Sequence, residues 1–289
     1  RTILHLRDVI NQGLLEGPTI IASGAPIVMT GGHVHYLGYE SDGADEVRKN
    51  TRRVLKEGAD FVKVMATGGI YTKGEEPGSS QLTIEELSAV KEEALKKNKK
   101  VAAHADGLEG IMNCLEVGID TIEHGIYADS QALEIMRNQG TFLVPTMIVM
   151  RQLTSSPDIP SFALEKAKKI LEPHFNMLKE AVKIGVKIAT GTDCGSPLTP
   201  PKYYFEELLI MEEAGMSPMD VIKASTSVAA DCLGVEELGS IEEGKIADLL
   251  ILDKNPLENL EVLKEEKQVM KKGRFIHIES ESLTEKVLM

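Results

Sequence analysis

Apolar residues recur along this chain in two rhythms. Short apolar runs lie at 19–22, 61–66, 101–105, 121–123, 142–146 and 186–189, flanked by glycine, and stretches with helical spacing separate most of them. The alternation predicts six strands in a parallel sheet covered by helices. Thr83-Ile84-Glu85-Glu86 reads as a capping box opening a helix, and the basic run 96–100 as its solvated carboxyl end. Ser217-Pro218 opens another helix, which Gly234 closes. Ile3, Leu6, Ile10 and Leu14 keep helical spacing until Gly17-Pro18. Arg1 therefore opens inside a helix with no capping residue ahead, and the reading expects an N-terminal part upstream. Residues 154–160 form the most loop-like interior stretch, placed where a lid over a site would sit. After Gly239 the texture changes: 246–253 reads as a strand, 269–272 and 275–278 as a hairpin around Gly273, and a polar tail runs to Met289. Two parts are expected, 1–238 and a small β appendage at 239–289.

Composition narrows the function classes. Of the 289 residues, 42% are hydrophobic and 27% charged, the usage of a soluble globular chain. No apolar run approaches the ~20 residues that span a bilayer. Lys and Arg number 32 against 45 Asp and Glu, and the net charge of −13 repels nucleic-acid phosphates and acidic membrane surfaces. Cys114, Cys194 and Cys232 are odd in number and far apart, so they encode neither a disulfide framework nor a Cys-x-x-Cys knuckle. The reading is a reducing, cytoplasmic compartment, although a beginning upstream of Arg1 leaves a signal peptide open.

Polar residues at the carboxyl ends of apolar strands stand out, because parallel α/β sheets place their sites there. Lys63 interrupts Phe61-Val62-Lys63-Val64-Met65, His104 ends Val101-Ala102-Ala103, His124 ends Thr121-Ile122-Glu123, and Asp193 follows Ala189-Thr190-Gly191-Thr192. Each also has a plain structural reading: a hydrogen-bonded histidine, a turn aspartate, or a lysine that snorkels out of its apolar surroundings. If Lys63 is instead desolvated, its amine is pushed toward the neutral form, which can capture carbon dioxide as a carbamate. Two imidazoles, a carboxylate and a carbamate suit zinc or a similar divalent ion.

At this point the chain resembles a family. Its segments 61–69 (FVKVMATGG), 101–107 (VAAHADG), 122–125 (IEHG), 143–146 (LVPT) and 189–194 (ATGTDC) are similar to successive strand ends of the amidohydrolase superfamily. The branch is that of prolidase-like Xaa-Pro dipeptidases and imidazolonepropionase-related proteins, whose C-terminal β segment 239–252 (GSIEEGKIADLLIL) resembles. The resemblance implies a (β/α)8 TIM-type barrel, here short of its first two strands, with a site for two divalent metal ions, zinc foremost. Lys63 would be the carboxylated bridging ligand, His104 and His124 would hold one ion, and Asp193 would ligate the other. A metal-bound hydroxide would attack the scissile carbonyl, and Asp193 would move its proton to the leaving nitrogen.

Family members also carry a His-x-His pair at the end of the first strand, and this chain begins too late to contain it. His33-Val34-His35 follows Gly31-Gly32 in a loop, where the family has a Gly-Gly-His segment, so His33 and His35 are read as substrate-side residues. Asp106, two residues past His104, is read as a substrate contact or a support to the site; relatives carry His or Tyr there. Tyr71 and Tyr127 follow strand ends and could meet substrate or be loop residues. Gly68-Gly69 reads as a tight turn, and Cys194 as a buried small residue. The expected activity is metal-dependent hydrolysis of an amide or peptide C–N bond in a small, dipeptide-like substrate. The alternatives are a cyclic-amide hydrolase or deaminase on the same scaffold, or a catalytically silent fragment. Small-molecule substrate is the expected partner, with self-association into a homo-oligomer as a means of covering sheet edges.

Overall fold

A computed structural model describes residues 2–72, 74–155, 159–196 and 198–276, in two compact units that meet in sequence between Met216 and Ser217. In the first unit, strands β1 (Ile27–Val28), β2 (Tyr39–Glu40), β3 (Val62–Met65), β4 (Val101–Ala105), β5 (Thr121–His124), β6 (Phe142–Val144) and β7 (Lys187–Ile188) form one parallel sheet. Their order is β2-β1-β3-β4-β5-β6-β7. Helix α1 (Thr2–Asn11) precedes the sheet, and α2 (Gly43–Lys56), α3 (Ile84–Leu95), α4 (Leu108–Val117) and α5 (Ser130–Gln139) each connect one strand to the next. Both α6 (Met147–Ser155) and α7 (Ser161–Ile184) lie between β6 and β7, and α8 (Tyr204–Glu213) follows β7. This repeat of strand, covering helix and parallel strand is the unit of a (β/α) barrel. No helix among the described residues is long and apolar enough to cross a membrane.

Seven strands stand where the apolar runs predict six. Residues 19–22 form no strand: the Ala22 amide donates to the Asp60 carboxylate and its carbonyl accepts from the Asp60 amide, a side-chain-mediated link instead of a ladder. The sheet begins instead at Ile27 and Val28, both fully buried, and gains β2 beside them. Helix α1 forms as predicted but stops at Asn11, and the turn at Gly13 with φ +72° leaves Leu14 outside it. Its buried residue is Leu4, packed against Gly24, while Ile3 and Leu6 are exposed, so the inferred apolar face is not the covered one. The capping box at Thr83 and Glu86 is present in full. The loop expected at 154–160 shrinks: Thr154 and Ser155 close α6 with hydroxyls bonded to the carbonyls of Met150 and Arg151, and 156–158 lie outside the described residues.

In the second unit the single helix expected after Ser217 is two, α9 (Pro218–Ala224) and α10 (Ser227–Leu233), broken at Thr226, whose backbone leaves the helical region. Ser217 caps the first and Gly234, at φ +73°, closes the second. Strands β8 (Leu249–Ile251), β9 (Gln268–Lys271) and β10 (Arg274–Ile276) form the expected small antiparallel sheet. Lys272 and Gly273, both at positive φ, make its two-residue hairpin turn.

Register decides which side chains face the site. Val62 and Val64 are fully buried, whereas Lys63 and Met65, on the other face of the pleat, are only half-buried. Lys63 pairs with Ala102, Met65 with His104, and His104 with Glu123, so these residues share one face. His124 lies opposite Ala105 and by alternation would face away. Its φ of +70° turns the chain at the strand end and brings its ring back beside His104.

Candidate active site

Backbone strain collects where the strands end. His124, Thr146 and Asp193 are non-glycine residues at φ +70°, +51° and +50°, following or ending β5, β6 and β7 in turn. Such left-handed conformations cost energy and persist where surrounding structure imposes them, commonly at functional sites.

His104 is at the centre. Its ring is buried, stacked on His33 at 4.3 Å between centroids and edge-on to His124 at 4.8 Å. Its Nε2 lies 3.5 Å from both Asp106 Oδ2 and the Gly68 carbonyl. On His124, Nδ1 sits 2.5 Å from Thr146 Oγ1, and the backbone carbonyl accepts a 3.1 Å hydrogen bond from Nε2 of His174 on α7. Burial pushes the His104 imidazole well below its ordinary value, and the neighbouring His33, His124 and Lys63 act the same way. For His124 burial outweighs the opposing Asp193 carboxylate, and the direction is again down. Both rings are therefore neutral at pH 7, the form that binds metal.

Asp106 is 2% exposed, and its Oδ1 has no hydrogen-bond partner among the described residues. Burial pushes its carboxyl well above the usual range; Lys63 opposes this, while Asp193 and Glu75 reinforce it. His104, Asp106 and His124 present ligand atoms within 4.8 Å of one another. This donor set fits a divalent ion: two neutral imidazoles and a buried carboxylate with an orphaned oxygen.

Around this core the other expected residues fall differently. Lys63 is half-buried, with its charge felt by His104, Asp106 and His124. Asp193 is exposed, accepts a hydrogen bond from Ser196 Oγ at 3.0 Å, and acts electrostatically on Tyr71, Asp106 and His124, although it stands outside the three-ligand group. His33 is buried in the site, but His35 is not beside it: Val34 at φ +47° begins a 3₁₀ turn at His35–Leu37 that points His35 toward Glu40, 3.4 Å away. Tyr71 has a buried hydroxyl without a partner among the described residues, and burial with the Asp193 and Tyr36 charges raises its pKa. Tyr127 is partly exposed, and burial followed by Asp106 raises its phenol. Cys194, expected to be buried, is exposed.

Several residues escaped the sequence reading. Glu75 faces His33 Nδ1 at 3.3 Å and accepts from the Gly69 amide at 3.1 Å and from the Gln81 side chain. Burial would raise the Glu75 carboxyl, but these hydrogen bonds together hold it low. Lys166 of α7 donates to the carbonyls of Thr72, at 3.0 Å, and Glu75, pinning the loop that carries this carboxylate. Gly69 is more than a turn residue: a Cβ there would come within 2.3 Å of the His33 ring. Thr146 carried a signal as the polar end of an apolar run, whereas His174 is hidden inside an amphipathic helix.

Comparison with known proteins agrees with this geometry. The amidohydrolase family matches residues 2–276. A solved Xaa-Pro dipeptidase with methionine bound in its active site superposes with a TM-score of 0.90 at 34% identity, over 96% of this chain and 72% of that one. Ochratoxinase from Aspergillus niger is 32% identical over 296 residues, 92% of this chain, which spans 61% of that protein's length. Imidazolonepropionase from Symbiobacterium thermophilum is 28% identical over 158 residues, covering 53% of this chain and 33% of the relative. The sequence resemblance thus holds across the strand ends that build the site, and the chain belongs to the amidohydrolase family.

Proposed function

We propose that this chain forms the catalytic barrel of a metal-dependent hydrolase that cleaves an amide or peptide C–N bond in a small, dipeptide-like substrate. The observation that carries this reading is the buried pair of neutral imidazoles, His104 and His124, beside a carboxylate with an unpartnered oxygen at the carboxyl ends of parallel strands. The Xaa-Pro dipeptidase neighbour supports the choice of bond and of substrate size.

In this reading Lys63, carboxylated at Nζ by carbon dioxide, holds two divalent ions, zinc foremost, together with His104, His124 and Asp193. When bound, the ions supply Lewis acidity toward the substrate carbonyl and toward water. The side chains do the rest. Thr146 and His174 fix the ring of His124 through its Nδ1 and its backbone. Asp193, at the exposed mouth, takes a proton from the attacking water and delivers it to the leaving nitrogen. Glu75 orients the His33 ring, which stacks on His104 and in this reading meets the substrate.

The test is hydrolysis of a panel of Xaa-Pro dipeptides, other dipeptides and cyclic amides by zinc-reconstituted protein, with Lys63→Ala alongside. Dipeptide turnover that needs metal and falls by at least ~10³-fold in Lys63→Ala is expected. Turnover of cyclic amides alone would move the substrate class, and an undiminished Lys63→Ala variant would overturn the binuclear site.

A further inference from the structure

Asp106 is the group in this centre that the family reading leaves without a ligand's role, and its surroundings are unusual. It lies two residues past His104, and its side chain returns to the same side, so that Oδ2 stands 3.5 Å from His104 Nε2. That separation is long for a charge-assisted hydrogen bond, which closes to about 2.7–2.9 Å. It matches the ~3.4 Å edge of a tetrahedron whose metal–ligand bonds are ~2.1 Å. The Gly68 carbonyl, equally far from the same nitrogen, already accepts the Gly78 amide at 2.9 Å. Nδ1 of His124 is engaged by Thr146, which leaves Nε2 of that ring to turn toward a ligand position.

The charge balance points the same way. At 2% exposure, with an oxygen lacking any partner among the described residues, Asp106 is ionised only beside a cation. Lys63 is the nearby positive charge while its amine is free. Carboxylation of Lys63 removes that charge and adds a negative one, so an ionised Asp106 then calls for an ion in its place.

We propose that Asp106 is a third protein ligand of the ion held by His104 and His124, giving a His–Asp–His set. The proposal rests on the metal-dependent reading above. It gives that ion an anionic protein ligand that does not depend on carboxylation of lysine.

The test loads cobalt(II) and, separately, zinc into wild type, Asp106→Asn and Asp106→Ser. It reads the visible d–d spectrum of the cobalt forms and zinc affinity against a chromophoric chelator. Exchange of a carboxylate ligand for water is expected to change the intensity and position of the cobalt bands and to weaken zinc at least tenfold. The serine variant, which leaves room for a water, gives the same answer should the asparagine variant fail to fold. A cobalt spectrum unchanged in both variants, whatever the affinity, would overturn the proposal and leave Asp106 orienting His104 from outside the coordination sphere. Wild type that binds neither ion would sink the metal-dependent reading itself, an outcome separate from a variant that binds normally.

Discussion

At the scale of single residues, the site depends on small groups standing behind the rings. Thr146 holds His124 by one hydroxyl, and because Nδ1 is engaged there, the rotation of the ring is set. Thr146→Val keeps the β-branch and the backbone conformation but loses the hydroxyl. It is expected to lower kcat/KM by ~10–100-fold, with zinc affinity falling in parallel. Steady-state kinetics beside a metal titration check this, and a variant matching wild type in both would show that the hydroxyl does not hold the ring. Residues of this kind are poorly legible in a sequence. Lys63, His104, His124 and Asp193 are visible because each puts a polar group inside or at the end of an apolar run. His174, Glu75 and Lys166 lie in amphipathic or polar stretches, where a histidine, glutamate or lysine is ordinary. What makes them matter is a partner far away along the chain: His124 is 50 residues from His174, and Glu75 is 91 from Lys166.

At the scale of elements, the strands were legible where β-branched and alanine runs ended in a polar residue, as at β3, β4 and β5. The edge was not, because β1 and β2 have two residues each, too few for a periodicity. A further device joins elements across the sequence. Glu207 of α8 is fully buried, and its two oxygens accept the amides of Met147 at 3.0 Å and Ile148 at 2.7 Å, capping α6 from another helix. Burial raises its carboxyl to about 7, against the pull of those two amides and of Arg151. A folded value above the unfolded one means that the native state binds the proton more tightly. The contribution is therefore fully present below about pH 4.5 and lost as pH rises through about 7, on the order of 3 kcal/mol in all. The buried histidines act in the opposite sense below about pH 6.5, since their folded values are lowered. The difference between wild type and Glu207→Gln isolates the carboxyl. In urea unfolding of metal-free protein, that difference is expected to shift steadily against wild type from pH 5 to pH 8. A difference independent of pH would mean that the carboxyl titrates at its ordinary value.

At the scale of the whole molecule, the fold class could be read in advance because parallel strands buried on both faces leave continuous apolar runs, and the helices between them carry their own caps. Gly273 likewise betrayed the hairpin of the second unit. Assembly of the site could not be read in this way, because it depends on register: His104 opposite Met65 and Glu123, and His124 turned by its backbone against the pleat. The same convergence ties the stability of the first unit to the ion proposed for it. Lys63, His104 and His124 come from three adjacent strands, with the Asp106 carboxyl buried among them, so a cation bound there would be held by the folded chain alone. An ion that binds only the folded form stabilises it by about 2.7 kcal/mol at a free concentration of 100 times its Kd. In a unit of this size that corresponds to a Tm shift of roughly 5–10 °C. Chelation should therefore lower the melting temperature by that amount in calorimetry, and added zinc should restore it in proportion to the logarithm of its free concentration. A melting temperature indifferent to both treatments would show that no ion joins these strands in the native state.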